Sequence, residues 1–148
     1  MTIFIASIKR RTDEATLAAL LETYEKRIAK YVTINLPVFP SEDSFFQSIE
    51  RQRSRTTPYL VLLDSRGRQF NSEQFAEWLG RQRDQGQQTI VFAVGPADGW
   101  SNDARKRANL LLSLGPMTFP HELTRVILGE QVYRAFTILS GHPYHTGH

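Results

Sequence analysis

The chain contains no cysteine among its 148 residues, which excludes disulfides, thiolate zinc sites and cysteine nucleophiles. No apolar run approaches the roughly 18 residues that a membrane-spanning helix needs. The opening MTIFIASIKRRT places its short apolar run before its charges, the reverse of a secretory leader, so a soluble, cytoplasmic protein is expected. Neither G-x-G-x-x-G nor a Walker A loop occurs, and there is no G-x-S-x-G elbow. Dinucleotide and nucleotide-triphosphate binding by those devices, and Ser-His-Asp catalysis, are therefore poor readings. Internal repeats, low-complexity segments and interdomain linkers are absent too, and the length suits one domain over 1–148 with a real core.

Lysine is scarce and arginine is not. Of 18 basic residues 14 are arginine, clustered at Lys9–Arg11, Arg51–Arg55, Arg66–Arg68 and Arg105–Arg107, against a net charge of only +3. Arginine clusters suit phosphate contact, but a solvated surface of mixed charge is the better reading of composition alone.

Hydrophobic patterning gives strands alternating with helices. Apolar runs at Ile3–Ser7, Val32–Phe39, Tyr59–Leu63, Thr89–Val94 and Leu110–Leu114 read as strands. Between them, Leu17, Leu20, Leu21, Tyr24, Ile28 and Tyr31 follow a 3.6-residue period, with Thr12 and Asp13 as N-cap candidates. Ser41 and Ser101 offer caps to two short helices, and Asn71 with Gln74 forms a capping-box variant. Strands apolar throughout, separated by helices, predict an α/β fold: a mainly parallel sheet with helices on both faces. Ligands in such sheets bind where strand carboxyl ends open into loops. Three loops compete for that role: Asp64–Gly67, Gly95–Gly99 and Gly115–Thr118. Asp64 fits a ligand contact and a turn-forming residue equally, and the Gly95 loop reads best as a plain turn. The Gly115–His121 loop enters a helix at Pro120, a favoured first-turn residue, so free N–H groups there can serve adenine edges or a carboxylate. A simple turn with Thr118 as cap fits equally well.

The helix His121–Ser140 is apolar around most of its girth, so more than one neighbour must cover it. Glu130 and Arg134, four residues apart, share a face and can pair. The tail Gly141-His-Pro-Tyr-His145 fits a docked segment better than a frayed one. His142, His145 and His148 have no carboxylate among them, which makes a metal site a weaker reading than packed or catalytic histidines, so no metal is expected.

Thr118-Phe-Pro-His121, Arg125-Val126, Glu130-Gln-Val-Tyr-Arg-Ala-Phe136 and His142-Pro-Tyr-His145, in this order and at these gaps, resemble the C-terminal half of the ribosomal RNA large subunit methyltransferase H family, in the SPOUT superfamily. The resemblance is strong over 89–148; the first 88 residues match in element order and length. It implies methylation of N3 of a pseudouridine in 23S ribosomal RNA from S-adenosylmethionine, on a SPOUT-like α/β fold with a C-terminal trefoil knot and a homodimer built on the last helix. Its cofactor-binding residues fall on Leu63, Gly95, Leu114, Gly115, Pro116, Met117, Thr118 and Phe119, and its catalytic residues on Arg134, Tyr144 and His145. Arg134 is then expected to anchor substrate or stabilise imide charge, Glu130 to orient it, His145 to act as base or relay, and Tyr144 in positioning the base. The chain departs from the family at Val94, where a second glycine is usual, in a longer Pro96-Ala97-Asp98 loop, in Ser7-Ile8-Lys9, where a glycine is common, and in the acidic, shortened Pro40-Ser-Glu-Asp. A methyltransferase of the same fold acting on another RNA such as tRNA, and a noncatalytic RNA-binding dimer, are the alternatives.

Overall fold

The structure, a computed structural model, describes residues 1–9, 15–52 and 55–146. The expected caps Thr12 and Asp13 lie outside them. The elements run β1 (Thr2–Ile8), α1 (Ala15–Ile28), β2 (Thr33–Asn35), β3 (Val38–Phe39), α2 (Glu42–Gln52), β4 (Tyr59–Gln69), α3 (Ser72–Asp84), β5 (Thr89–Val94), α4 (Asn102–Arg107), β6 (Leu110–Ser113), α5 (His121–Ser140) and a closing 3₁₀ turn, Pro143–His145. The strands form one sheet in the order β2-β1-β5-β4-β6, with β3 also on β1, and every pair is parallel.

Period-2 alternation divides each central strand between two cores. Ile3, Ile5, Val61, Leu63, Ile90, Phe92 and Val94 face the layer that also holds Phe75, Trp78 and Leu79 of α3 and Leu128 and Val132 of α5. Ala6, Ile8, Leu60, Leu62, Val91 and Ala93 face Phe45, Phe46 and Ile49 of α2 and Trp100 and Ala104 beside and within α4. Helices therefore cover both faces, which is why these strands are apolar at every position rather than at every second one. The Asn71–Gln74 capping box forms as expected, and Ser101 and Ser41 accept the backbone N–H groups of Ala104 and Ser44.

Two strand boundaries differ from expectation for identifiable reasons. The single strand expected over Val32–Phe39 is two short ones, because Pro37 has no N–H to give to the ladder. The third expected strand does not end at Asp64. It continues as β4 to Gln69 after a bulge, with Leu63 and Arg68 both opposite Leu112. Pro120, expected in the first helical turn, is instead the N-cap of α5, and no side chain caps that end, Thr118 included.

Helix α5 is covered within its own chain, by α1, α3 and the sheet. None of its residues before Ser140 is fully exposed, yet Leu123, Ile127, Tyr133, Ile138 and Leu139 are only partly buried, so intrachain packing covers part of its apolar girth. Arg125, 3% exposed, fastens this helix to the sheet. Its Nη2 donates to the carbonyls of Ile5 at 3.1 Å, Leu36 at 2.8 Å and Pro37 at 3.4 Å, and so fills the gap that Pro37 opens between β2 and β3. Burial pushes its guanidinium pKa down from the ordinary arginine value, opposed by the charges of Glu25 and Glu122. Replacing Arg125 with methionine keeps much of the volume and removes this donor. A loss of about 3 kcal/mol is expected in urea unfolding, from hydrogen bonds to a charged group plus carbonyls left dry; an unchanged midpoint contradicts the clamp.

Candidate active site

The bulge of β4 and the carboxyl ends of β5 and β6 open on the same edge of the sheet, and the three competing segments meet there around one cavity of about 470 Å³. Its wall includes Leu63, Asp64, Gly95, Leu114, Gly115, Met117, Thr118 and Phe119. Of the residues the resemblance implies for a cofactor, all but Pro116 line it. Gly115 adopts φ 135°, a region that favours glycine, and a Cβ there would meet nothing within 4 Å. Ser113 Oγ holds the turn, accepting from Gly115 N–H at 3.1 Å and donating to its carbonyl at 3.0 Å.

Trp100 was not singled out in the sequence, yet it sets the shape of this cavity. Its indole Nε1–H donates to the Leu63 carbonyl at 3.0 Å, tying the loop after β5 to β4. The ring lies so close to Gly95 that a Cβ there would sit 2.6 Å from it. Glycine at 95 thus accommodates Trp100. The clue was a large aromatic directly after a glycine turn.

Asp64, in the wall of this cavity, makes the local contact of a turn-forming aspartate and a long-range ion pair besides. Its side chain is 6% exposed, and it accepts from Arg105 Nε at 2.7 Å and from the Arg66 backbone N–H at 2.9 Å. Burial opposes ionisation most strongly, but the combined bonds to Arg105 and Arg66 outweigh it and hold the carboxyl below its usual pKa. Other clustered arginines are also engaged: Arg107 pairs with Glu50 at 2.6 Å and lies over Phe46, and Arg68 lies over Phe70.

A second cavity, about 590 Å³, adjoins the first and shares Leu112, Leu114 and Phe119 with it. Arg134, His145 and Glu73 line its far side. Glu130 organises this end. Its carboxylate accepts from Arg134 Nε at 3.2 Å and Nη2 at 2.8 Å, from Tyr144 Oη at 2.8 Å and from Gln131 Nε2 at 3.0 Å. The expected Glu130–Arg134 pair is thus present and bidentate, and the bond to Glu130 raises the Arg134 pKa against the opposing effect of burial. Burial, with the Glu130 bond next, pushes the Tyr144 phenol well above its ordinary pKa, so Tyr144 keeps its proton and does not serve as a base itself. Its ring stands edge-on to Tyr133 at 4.7 Å and under the Arg134 guanidinium at 4.9 Å.

His145 lies between two partners, with Nδ1 2.8 Å from Arg134 Nη1 and Nε2 2.8 Å from Glu73 Oε1. Arginine can only donate, so Nδ1 carries the lone pair and Nε2 carries the proton. The structure therefore brings Arg134, Tyr144 and His145 together, and adds Glu73, which the sequence did not single out. His142 Nδ1 accepts from the Tyr144 N–H at 3.1 Å, closing the 3₁₀ turn, and His148 lies outside the described residues. Among the described residues no three of His, Asp and Glu gather as a metal site, and no helix is long and apolar enough to cross a membrane.

These features define a class: a parallel α/β protein with a ligand-sized cavity at its strand ends and a polar cluster on its last helix and tail. Residues 1–145 match a family model described as "Predicted SPOUT methyltransferase". The chain is 48% identical over 93% of its length to the ribosomal RNA large subunit methyltransferase H of Koribacter versatilis (strain Ellin345), covering 94% of that protein. It is 34% identical over 98% of its length to the protein of the same name from Christiangramia forsetii (strain DSM 17595 / CGMCC 1.15422 / KT0803), covering 99% of it. The chain belongs to the SPOUT methyltransferase family. Its fold is similar to that of the SpoU methyltransferase AviRb from Streptomyces viridochromogenes, solved with the cofactor AdoMet, at TM-score 0.51 and 13% identity over 90% of this chain and 57% of that one.

Asp64 yields a pH-dependent test. Its folded pKa lies below the value of about 3.9 for a free aspartate, so its stabilisation is full above that value and disappears as pH falls through the folded pKa. Asp64→Asn is expected to cost about 1–2 kcal/mol near pH 7, from loss of charge-assisted bonds, and almost nothing near pH 2. Urea midpoints of both proteins across that range measure it; a pH-independent gap contradicts the ion pair.

Proposed function

We infer that this protein transfers a methyl group from S-adenosylmethionine to large-subunit ribosomal RNA, at N3 of a pseudouridine, in the cytoplasm. It does so as one domain over 1–148, knotted at its C-terminal end and paired as a homodimer. One observation carries the reading: the strand-end cavity and the cavity of Arg134 and His145 share the wall of Leu112, Leu114 and Phe119. Transfer needs the methyl group and the acceptor nitrogen in direct contact, so the reading places both ligands where the two cavities meet along these residues. The names of the full-length relatives support the ribosomal substrate. The exposed apolar side chains Leu20 and Tyr31, on and just after α1, support a partner against the α1 side of the molecule.

The strand-end cavity fits the cofactor by size and chemistry. Its volume lies within the range of about 300–1,000 Å³ that holds small ligands. Its wall combines apolar side chains, for a nucleoside and the carbon chain of the methionine part, with the backbone of three segments. Leu63, Gly95 and Leu114–Phe119 would hold S-adenosylmethionine, which when bound supplies an electrophilic methyl group.

The remaining chemistry belongs to the chain. An N3–H must leave as the nitrogen attacks, and the uracil edge gains negative charge. Arg134, fixed through Nε and Nη2 by Glu130, presents Nη1 to stabilise that charge. His145 takes the proton at Nδ1, the nitrogen that Arg134 Nη1 otherwise occupies, once that contact gives way to substrate. Tyr144, locked on Glu130, positions the target base.

Mass spectrometry of ribosomal RNA from cells lacking the protein is expected to show one methyl group fewer on a pseudouridine. Full methylation there, or a loss confined to tRNA, overturns the assigned target. Arg134→Ala and His145→Ala are each expected to lower kcat by at least about 100-fold, the lower end of what a positioned proton acceptor or charge stabiliser supplies. Calorimetry on the same variants is expected to find S-adenosylmethionine binding intact. Failure of the unsubstituted protein to bind it would favour a noncatalytic RNA-binding dimer.

A further inference from the structure

We propose that Glu73 is a positioning residue, the orienting carboxylate of a Glu73–His145 dyad that fixes which nitrogen of His145 is free to take a proton. The proposal deepens the reading above and rests on it in one respect, that His145 accepts the substrate proton.

The inference starts from hydrogen-bond arithmetic. A neutral imidazole has one donor and one acceptor nitrogen, and left to itself it exchanges between two tautomers. Here the two sides of the ring meet groups of opposite kind. Arg134 Nη1, 2.8 Å from Nδ1, has hydrogens only, while Glu73 Oε1, 2.8 Å from Nε2, is a carboxylate that accepts. Only the Nε2–H tautomer satisfies both. Glu73 therefore turns the Nδ1 lone pair toward the cavity lined by Arg134, where a base is needed. When Nδ1 takes a proton, the new imidazolium still has its Nε2–H on a carboxylate, which stabilises the charge just formed. This is the logic by which a buried aspartate orients the histidine of a serine protease. In this chain the carboxylate comes from the first turn of α3 and the histidine from the tail, 72 residues apart.

The contact also places the tail. The 3₁₀ turn Pro143–His145 is held on one side by Tyr144 on Glu130 and on the other by His145 on Glu73, so it spans from α5 to the start of α3 along the cavity. Glu73 is 60% exposed as a side chain, and its substitution leaves no hole in the core.

A series at position 73 separates orientation from electrostatics. Glutamine keeps an acceptor oxygen, alanine removes the partner, and lysine offers only hydrogens. In Glu73→Lys both nitrogens of His145 would face donors, which one lone pair cannot satisfy. Lysine also adds a positive charge, which favours binding of any RNA, so general electrostatics predicts no loss. The expected order of kcat is therefore wild type, then Gln about threefold lower, Ala about 10-fold lower and Lys about 100-fold lower, within the range a positioned base contributes, with KM for RNA unchanged or reduced in Lys. Nitrogen NMR of His145 without RNA is read in the Arg134→Ala background, where that donor no longer faces Nδ1: Nε2–H is expected with Glu or Gln at 73, and a mixed or reversed tautomer with Ala or Lys. An Nδ1–H tautomer with Glu at 73, or a Lys variant with wild-type kcat, overturns the proposal. Loss of activity in His145→Ala with Glu73→Ala unaffected overturns the role of Glu73 alone, whereas full activity in His145→Ala overturns the reading beneath it.

Discussion

A parallel sheet makes every strand begin at the same edge, so each connection must cross a face before the next strand can start. That constraint explains most of this molecule. It puts α1, α3 and α5 on one face and α2 and α4 on the other, and removes both faces of the central strands from water. It also delivers the bulge of β4 and the carboxyl ends of β5 and β6 to one edge, where three segments that look unrelated in sequence become walls of one cavity. Trp100 and Arg125 then lock the two sides of that edge, one by a bond to Leu63, the other by bonds to the carbonyls of Ile5, Leu36 and Pro37.

The polar end of the site is arranged around a carboxylate rather than around a cation. Glu130 accepts four bonds, two of them from Arg134, and its charge sets the state of its neighbours. It keeps the Arg134 guanidinium charged in a partly buried place and, next to burial, helps keep the Tyr144 phenol protonated. A tyrosine so held is a hydrogen-bonded post against which the tail packs, through its ring on Tyr133 and under Arg134. Glu130 therefore ties the tail to α5 through Tyr144, while His145 reaches across the cavity to α3.

Arginine clustering had two readings, phosphate contact and solvated mixed charge, and the pairings explain why the second accounts for part of the surface. Asp64 takes Arg66 and Arg105, Glu50 takes Arg107, Glu77 takes Arg81 and Asp84 takes Arg83. Such pairs weaken long-range attraction for a polyanion while leaving a guanidinium plane available for stacking, as Arg107 over Phe46 demonstrates.

The parts of the fold that were legible in the sequence are those governed by local or periodic chemistry. Apolar runs marked all the central strands, and Asn71, Ser101 and Ser41 announced their helices, because a cap and its helix lie within a few residues of each other. The bulge after Leu63 was not legible, since its residues, Asp64-Ser-Arg-Gly, have the composition of a loop and are held in the strand only by pairing with β6, more than 40 residues away. The same distinction runs through the site. Glu130 and Arg134 share one helical face and could be read directly, while the resemblance pointed to Tyr144 and His145. Trp100 acts through a carbonyl 37 residues earlier, and Glu73 through a histidine 72 residues later. An exposed glutamate in the first turn of a helix has an ordinary local explanation in the helix dipole. Only the tail's return across the cavity makes it a partner of His145, and that return depends on the length of α5 and on Gly141, whose left-handed φ of 74° ends the helix and turns the chain back.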